Sequence, residues 1–288
     1  MAASESNMPF IRNLASSDRK TRTSALGSLR TFLSASAASS RLAPLDNLKL
    51  WKGLYYSLWM CDRPLPQQGL CAELAALVDA LPDAAVAPWL AAFWETLGRE
   101  WTGIDVLRLE KFLLLVRRVL AAGLAWVCAA LPEVTDADAD GDGDADGDGV
   151  TREAGDGESK TSRRSRLRID ALLENLAAWP LETGDNLSRV PVGLRLHVLD
   201  IWVDEAEKLG LLDVAKTGEA GRQFLDRLGL LVEAQTRSTC KPVRLRAKET
   251  LADDRLPWNG DDAEHDAVGK SVRKDDPSDK DSWDGFDD

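Results

Sequence analysis

Histidine and tyrosine are scarce in this 288-residue chain, at two each, beside three methionines and four cysteines. His265 lies in a polar, acidic stretch near the end, so His197, set among Leu194, Leu196, Val198 and Leu199, is the one histidine in a helical context. Histidine acid–base and triad chemistry therefore has almost nothing to build on. A lone imidazole on an apolar helix reads instead as a hydrogen-bonded core or boundary residue. Cys61, Cys71, Cys128 and Cys240 show no CxxC spacing, which excludes the usual structural zinc site and leaves free thiols in a reducing compartment as the expectation. No charged-apolar-small leader precedes them. The longest apolar runs, such as Phe112 to Val116, fall far short of the ~20 residues that cross a bilayer, so no membrane partner is expected. No GxxxxGK[ST] loop, GxGxxG turn or GxSxG elbow occurs. Nucleotide, dinucleotide and hydrolase readings lose their anchor. No cofactor, no metal, no small-molecule substrate and no enzyme activity are expected.

Sustained alternation of β-branched residues is also lacking, which points away from strands. Present instead are ten tryptophans, 44% hydrophobic residues and a series of helical patterns. The net charge of −12 is unevenly spread. Glu133–Glu158 carries 11 acids against one arginine, and Ala252–Asp288 carries 13 acids against 5 bases. Setting those 18 net negative charges aside leaves the rest of the chain at +6, a balance that permits an RNA partner where the whole-chain value argues against one.

Along the chain, Ala25, Leu26, Leu29, Phe32 and Leu33 share one side of a helix from Ser17 to Leu33, with Arg19, Lys20 and Arg30 on the adjoining arc. Those cations read as a solvated face or as contacts to phosphate or an acidic partner. "LDNLKLWKGLYYSLWM" is apolar on too many sides for a surface helix and should be buried between neighbours. Asp62 and Pro64 suggest a stop and an N-cap with proline in the first turn of the next helix, and Pro82 and Pro88 bracket the following boundary. The segment "IDVLRLEKFLLLVRRVLAAGLAWVCAAL" is apolar in most directions and reads as a central helix, its charges as snorkelling or ion-paired residues. Helical patterning resumes at "RRSRLRIDALLENLAAW" and continues in two further amphipathic segments, with Gly210 a plausible C-cap between them. The expected fold is all-α: antiparallel helices stacked as a HEAT- or armadillo-like α-superhelix. Its expected parts are an N-terminal helical half (1–132), a disordered Asp/Gly-rich insert (133–162), a C-terminal half of the same domain (163–251) and a disordered acidic tail (252–288). Trp258, Trp283 and Phe286 stand out in that tail, as anchors for a partner groove or as passive residues.

The stretch "DGDADGDGVTRE" imitates a calcium loop. Asp142, Asp144 and Asp146 occupy positions 1, 3 and 5, Gly147 position 6 and Glu153 position 12 of the twelve-residue template. Position 8, however, is Gly149 rather than an apolar residue, and "AGDGESKTS" after Glu153 cannot continue a helix. An Asp/Gly alternation meets such a pattern by repetition, so the stretch reads as part of a flexible acidic insert.

Three segments carry a specific resemblance: "MPFIRNLASSDRKTRTSALGSLRTFL", "LKLWKGLYYSLWMCDRPLPQQGLCAELAALV" and "FWETLGREWTGIDVLRLEKFLLLVRRVL". They resemble the ribosomal RNA processing protein 1 family, the nucleolar Nop52-type proteins. The similarity runs through most of Met8 to Leu120 and more weakly from Arg163 to about Leu251. It implies an α-helical superhelix and a non-enzymatic assembly factor of the nucleus and nucleolus, a scaffold in pre-ribosomal particles needed for rRNA processing, chiefly of the large subunit. The implied partners are pre-ribosomal proteins and rRNA precursor. The family has no catalytic residues to transfer. Its characteristic positions include Trp51, Trp59, Trp94 and Trp101, expected to be structural, and Lys52, Arg99, Arg108, Lys111, Arg117 and Arg118. Those last cations, with Arg19, Lys20, Arg30, Arg163 and Arg164, form the candidate RNA- or protein-binding set. The sequence departs from the family in its Asp/Gly insert and in lacking the long basic C-terminal extension of some members. A general helical-repeat adaptor without an rRNA role is the competing reading.

Overall fold

Asp18 starts the first long helix: its carboxylate accepts a hydrogen bond from the Thr21 backbone N–H at 2.8 Å, satisfying one of the donors a helix N-terminus leaves open. The same device recurs at Asp105, which accepts from Leu107 N (3.1 Å) and Arg108 N (3.2 Å). Pro44 and Pro64 open two other helices at their first position, where proline's missing N–H costs nothing. The computed structural model describes residues 10–35, 42–131, 160–184 and 186–259. Among them are ten α-helices and no strand: α1 (Phe10–Leu14), α2 (Arg19–Ser34), α3 (Pro44–Trp59), α4 (Pro64–Ala75), α5 (Asp83–Glu100), α6 (Val106–Cys128), α7 (Lys160–Ala178), α8 (Val192–Lys208), α9 (Val214–Gln235) and α10 (Lys241–Leu251). The calcium-like stretch Asp142–Glu153 and the tail beyond Asn259 lie outside the described residues.

The packing order is regular. Odd-numbered helices touch in series, α1 on α3, α3 on α5, α5 on α7 and α7 on α9; even-numbered helices do the same, α4 on α6, α6 on α8 and α8 on α10. Contacts such as α1 with α2, α3 with α4, α6 with α7 and α9 with α10 join the two rows. This is the two-layer arrangement of an α-superhelix, in which each helix buries its apolar stripe against the next of its own layer and against the opposite layer. Helix α2 joins the even layer through a short 3₁₀ turn, Ala76–Ala80, which also touches α4 and α6. One continuous core runs from Phe10 to Leu256. Helix α6 sits at its middle and buries Phe112, Leu115, Val116, Val119, Leu120, Leu124 and Val127.

Gly210 closes α8 as expected. It adopts φ 73°, while its N–H bonds Glu207 O (2.8 Å) and that of Leu211 bonds Ala206 O (3.0 Å). This is the paired C-terminal pattern that a left-handed glycine permits. Helix α9 is broken at Gly218 (φ 59°), which separates its first turn from its regular part.

Four expectations need correction. Pro88 lies inside α5 rather than at its start. Helical geometry N-terminal to it is held by the burial of Ala85 and Val86 on one side and Trp89 and Leu90 on the other, which offsets the hydrogen bond the proline removes. Arg63, not Asp62, occupies the N-cap of α4. Lys160 to Ser162, placed in the insert by composition, form the first turn of α7. The tail does not begin at Ala252. Residues 252–259 pack as a strap: Leu256 is fully buried, Arg255 bonds Asp204 (3.1 Å), Glu207 (2.7 Å) and Asp253 (2.6 Å), and Asn259 Nδ2 bonds Leu251 O (2.6 Å). One anchoring leucine and an arginine shared by three carboxylates hold the strap, too short a signal to register as periodicity.

Candidate nucleic-acid interface

The candidate cations are distributed over both layers and do not form one surface. Lys52 on α3 and Arg99 on α5 come together in an open groove of about 490 Å³ between α1, α3 and α5. Packing of α1 against α3 adds Arg12, and Lys49 stands one turn before Lys52; neither belonged to the expected set. Four cations thus line this groove against one lining carboxylate, Glu100. Lys52 pairs with Glu100 while its ammonium lies 5.1 Å from the centre of the Tyr56 ring. Arg99 pairs with Glu95 one turn earlier. Arg99 is exposed and Lys52 partly so, so these pairs are weak and exchangeable with an incoming anion.

A second groove, about 670 Å³, opens between α2, the end of α3 and α4. Arg19 lines it together with Arg22 and Arg63, which sequence reasoning missed, and with Asp62 and Glu73 of opposite sign. Arg22 is half committed to structure, donating to Ser16 O (2.9 Å) and Ser17 O (2.8 Å) and so fixing the α1–α2 turn. Lys20 and Arg30 are exposed elsewhere on α2.

The cations of α6 do something else. Lys111 is buried, and its ammonium donates to Trp59 O (2.8 Å) and Cys61 O (2.9 Å), capping the end of α3. Burial pushes its pKa below the ordinary lysine value. It is therefore removed from the binding surface, because the chain that carries it packs α6 against the α3–α4 junction. Replacing Lys111 by methionine should cost about 1–3 kcal/mol, the penalty of taking a charged donor from the Trp59 and Cys61 carbonyls, read from chemical denaturation. A change within a few tenths would refute the capping role. Arg108 pairs with Asp105 and stacks on Trp59 at 4.8 Å. Arg117 binds Asp204 (2.6 Å) and Glu205 of α8. Arg118 and Arg163 are exposed, whereas Arg164 reaches Asp83 at 2.8 Å. Trp51 and Trp94 are fully buried, while Trp59 and Trp101 are partly buried against the core.

His197 Nε2 bonds Leu113 O at 2.9 Å, and burial pushes the imidazole pKa down. Burial likewise pushes the Cys71 thiol up to about 12 and Cys128 up to about 11, so neither is a thiolate nucleophile at neutral pH. Among the described residues no three His, Cys, Asp or Glu side chains converge as metal ligands, and no helix is long and apolar enough to cross a membrane. The grooves offer cationic donors and an aromatic face, the equipment for holding phosphates or carboxylates in place.

Fold and surface define a two-layer helical-stack protein with cationic grooves. The Nop52 nucleolar protein family model matches residues 5–285, and the chain belongs to that family. It is 33% identical over 218 residues to ribosomal RNA processing protein 1 homolog A of Mus musculus, an alignment covering 75% of this chain and 37% of that protein. Against the Homo sapiens homolog A the identity is 32% over 218 residues, covering 75% and 39%. The Drosophila melanogaster homolog is 40% identical over 113 residues, covering 38% of this chain and 16% of that protein. The chain thus spans less than two fifths of the length of these relatives.

Proposed function

We propose that this protein acts in ribosome biogenesis as a non-enzymatic helical scaffold of pre-ribosomal particles, required for rRNA processing, chiefly on the large-subunit pathway, in the nucleolus. The observation that carries the reading is membership of the Nop52 family over nearly the whole chain. Relatives named for rRNA processing and the cationic groove of Arg12, Lys49, Lys52 and Arg99 support it. In this reading the groove holds the backbone of precursor rRNA by charge, with Tyr56 offering a ring face to an unstacked base. Other faces of the stack engage pre-ribosomal proteins.

Tagged purification should recover pre-ribosomal proteins together with rRNA precursor, and depletion should accumulate unprocessed precursor. Recovery of neither would overturn the role. For the groove, the triple variant Lys49→Ala, Lys52→Ala, Arg99→Ala should weaken single-stranded RNA binding and flatten its salt dependence by roughly 0.7 in log–log slope per lost phosphate contact. Filter binding across a salt series measures both. An unchanged slope with normal particle association would move the groove from RNA to protein docking.

A further inference from the structure

The opposite end of the stack carries a cleft of a different character. It is formed by Asp226, Gly229, Leu230 and Glu233 of α9, Leu251 at the end of α10 and Trp258 of the strap, and encloses about 470 Å³. Leu230 is 62% exposed and Trp258 41% exposed, both large apolar side chains left facing water. The indole is nonetheless fixed. Its Nε1 bonds Leu251 O at 3.3 Å, and its outer ring edge lies over Gly229, where a Cβ would come within 2.8 Å. The helix thus lacks a side chain at the point where the ring is seated, and the ring's free face forms one wall. A rigid, half-exposed tryptophan beside an exposed leucine is the composition of an interface anchor, since little conformational freedom remains to be lost on binding.

The rim has one sign among the lining residues. Asp226 and Glu233 flank the apolar floor; their contacts to Arg222 (3.9 Å) and Arg237 (3.8 Å) are long and exposed, and so contribute little. The sequence from Gly260 onward carries 11 acids against 4 bases. That charge opposes occupation of the cleft by the chain's own acidic sequence, Trp283 and Phe286 included, and favours a cationic partner.

We propose that this cleft docks a basic protein segment, rich in lysine or arginine, that inserts an aliphatic or aromatic anchor between Leu230 and Trp258 and lays its cations against Asp226 and Glu233. The proposal does not depend on the rRNA role. The probe is a fluorescein-labelled amphipathic 18-residue leucine/lysine peptide, titrated into the full chain and read by anisotropy, with a leucine/glutamate peptide of the same pattern and an oligolysine of the same charge as references. The leucine/lysine peptide should bind at least about tenfold more tightly than either reference. Leu230→Ser, at an exposed position, should cost at least about tenfold in affinity, and so should Asp226→Lys with Glu233→Lys, with helical circular dichroism retained. Equal binding of oligolysine, equal binding of the acidic peptide, or affinity unchanged by Leu230→Ser overturns the proposal. So does sedimentation showing a dimer that Leu230→Ser dissolves, because the occupant would then be a second copy. Loss of RNA homopolymer binding in the same variant would equally overturn it.

Discussion

Arg195→Ala is expected to destabilise the protein by about 3–5 kcal/mol, the usual consequence of removing one partner from a buried ionic network. Arg195 is wholly buried in α8. Its guanidinium reaches Glu182 Oε2 (2.8 Å), the Glu182 carbonyl, Gln235 Oε1 (3.1 Å) and Val190 O (3.4 Å). Gln235 is itself buried and donates to Leu181 O at 2.7 Å. One side chain thus ties the α7–α8 connection to the end of α9, and alanine would take the cation from a carboxylate and a donor from a side-chain amide and from backbone carbonyls together. Arg195→Lys should recover only part of the loss, since an ammonium cannot reproduce the planar fork. Burial raises the Glu182 pKa, but hydrogen bonds from Arg195 and from the Gly184 and Asn186 N–H groups outweigh it and leave the carboxyl below its ordinary value. A carboxylate depressed in the folded state contributes stability that is complete above its unfolded pKa and is lost as pH falls through the folded one. The parent should therefore lose stability on acidification below about pH 4.5, and Arg195→Ala should show a shallower fall over the same range. Denaturation midpoints at pH 7 and pH 4 test both points; a variant within 1 kcal/mol of the parent at pH 7 would refute the network's role.

Arg195 also shows where sequence reading stops. In "VGLRLHVLD" it looks like any cation on an amphipathic helix, because the partners that make it a core residue lie at Glu182 and Gln235. Lys111 was obscured in the same way: its two acceptors sit some 50 residues earlier. Local signals fared better. The Gly210 stop and the apolar circumference of α6 are properties of a few adjacent residues, and each appears in the structure where the pattern put it. The groove was legible only in part. Lys52 and Arg99 were singled out by resemblance; Lys49 lies one turn from Lys52 on the same helix, whereas Arg12 joins them through the contact of α1 with α3, which no periodicity in one helix encodes.

Helices α6 and α7 are tied to each other and to α5 by side-chain contacts. Asp83 on α5 accepts from Trp126 of α6 (3.1 Å) and from Arg164 (2.8 Å) and Arg168 of α7. Arg168 also donates to Trp126 O at 2.5 Å and stacks on that indole at 5.2 Å. Ser165 bonds the Ala130 carbonyl. These contacts hold α6 and α7 together independently of the chain that joins them in sequence.

Trp51→Ala is expected to cost about 3–5 kcal/mol and to lower Tm on the order of 10 °C. The indole is fully buried, with its ring 4.9 Å from Trp89 and 4.8 Å from Phe93, and its N–H donates to Trp89 O at 2.9 Å. Truncation leaves a cavity between α3 and α5 and removes the indole's bond to the Trp89 carbonyl. Trp101→Ala, at a partly exposed position, should cost less. Circular dichroism is the appropriate readout, because ten tryptophans confound fluorescence. A loss below about 1 kcal/mol would mean the site collapses around the missing ring. The variant also separates support from contact. Helix α3 carries Lys49, Lys52 and Tyr56 into the groove while Trp51 faces the core, so Trp51→Ala should weaken RNA binding only as it loosens the fold. Lys52→Ala should do the reverse, weakening binding with Tm nearly unchanged. If binding fell in both variants only in proportion to lost stability, the groove would be a by-product of packing and not an RNA-binding surface.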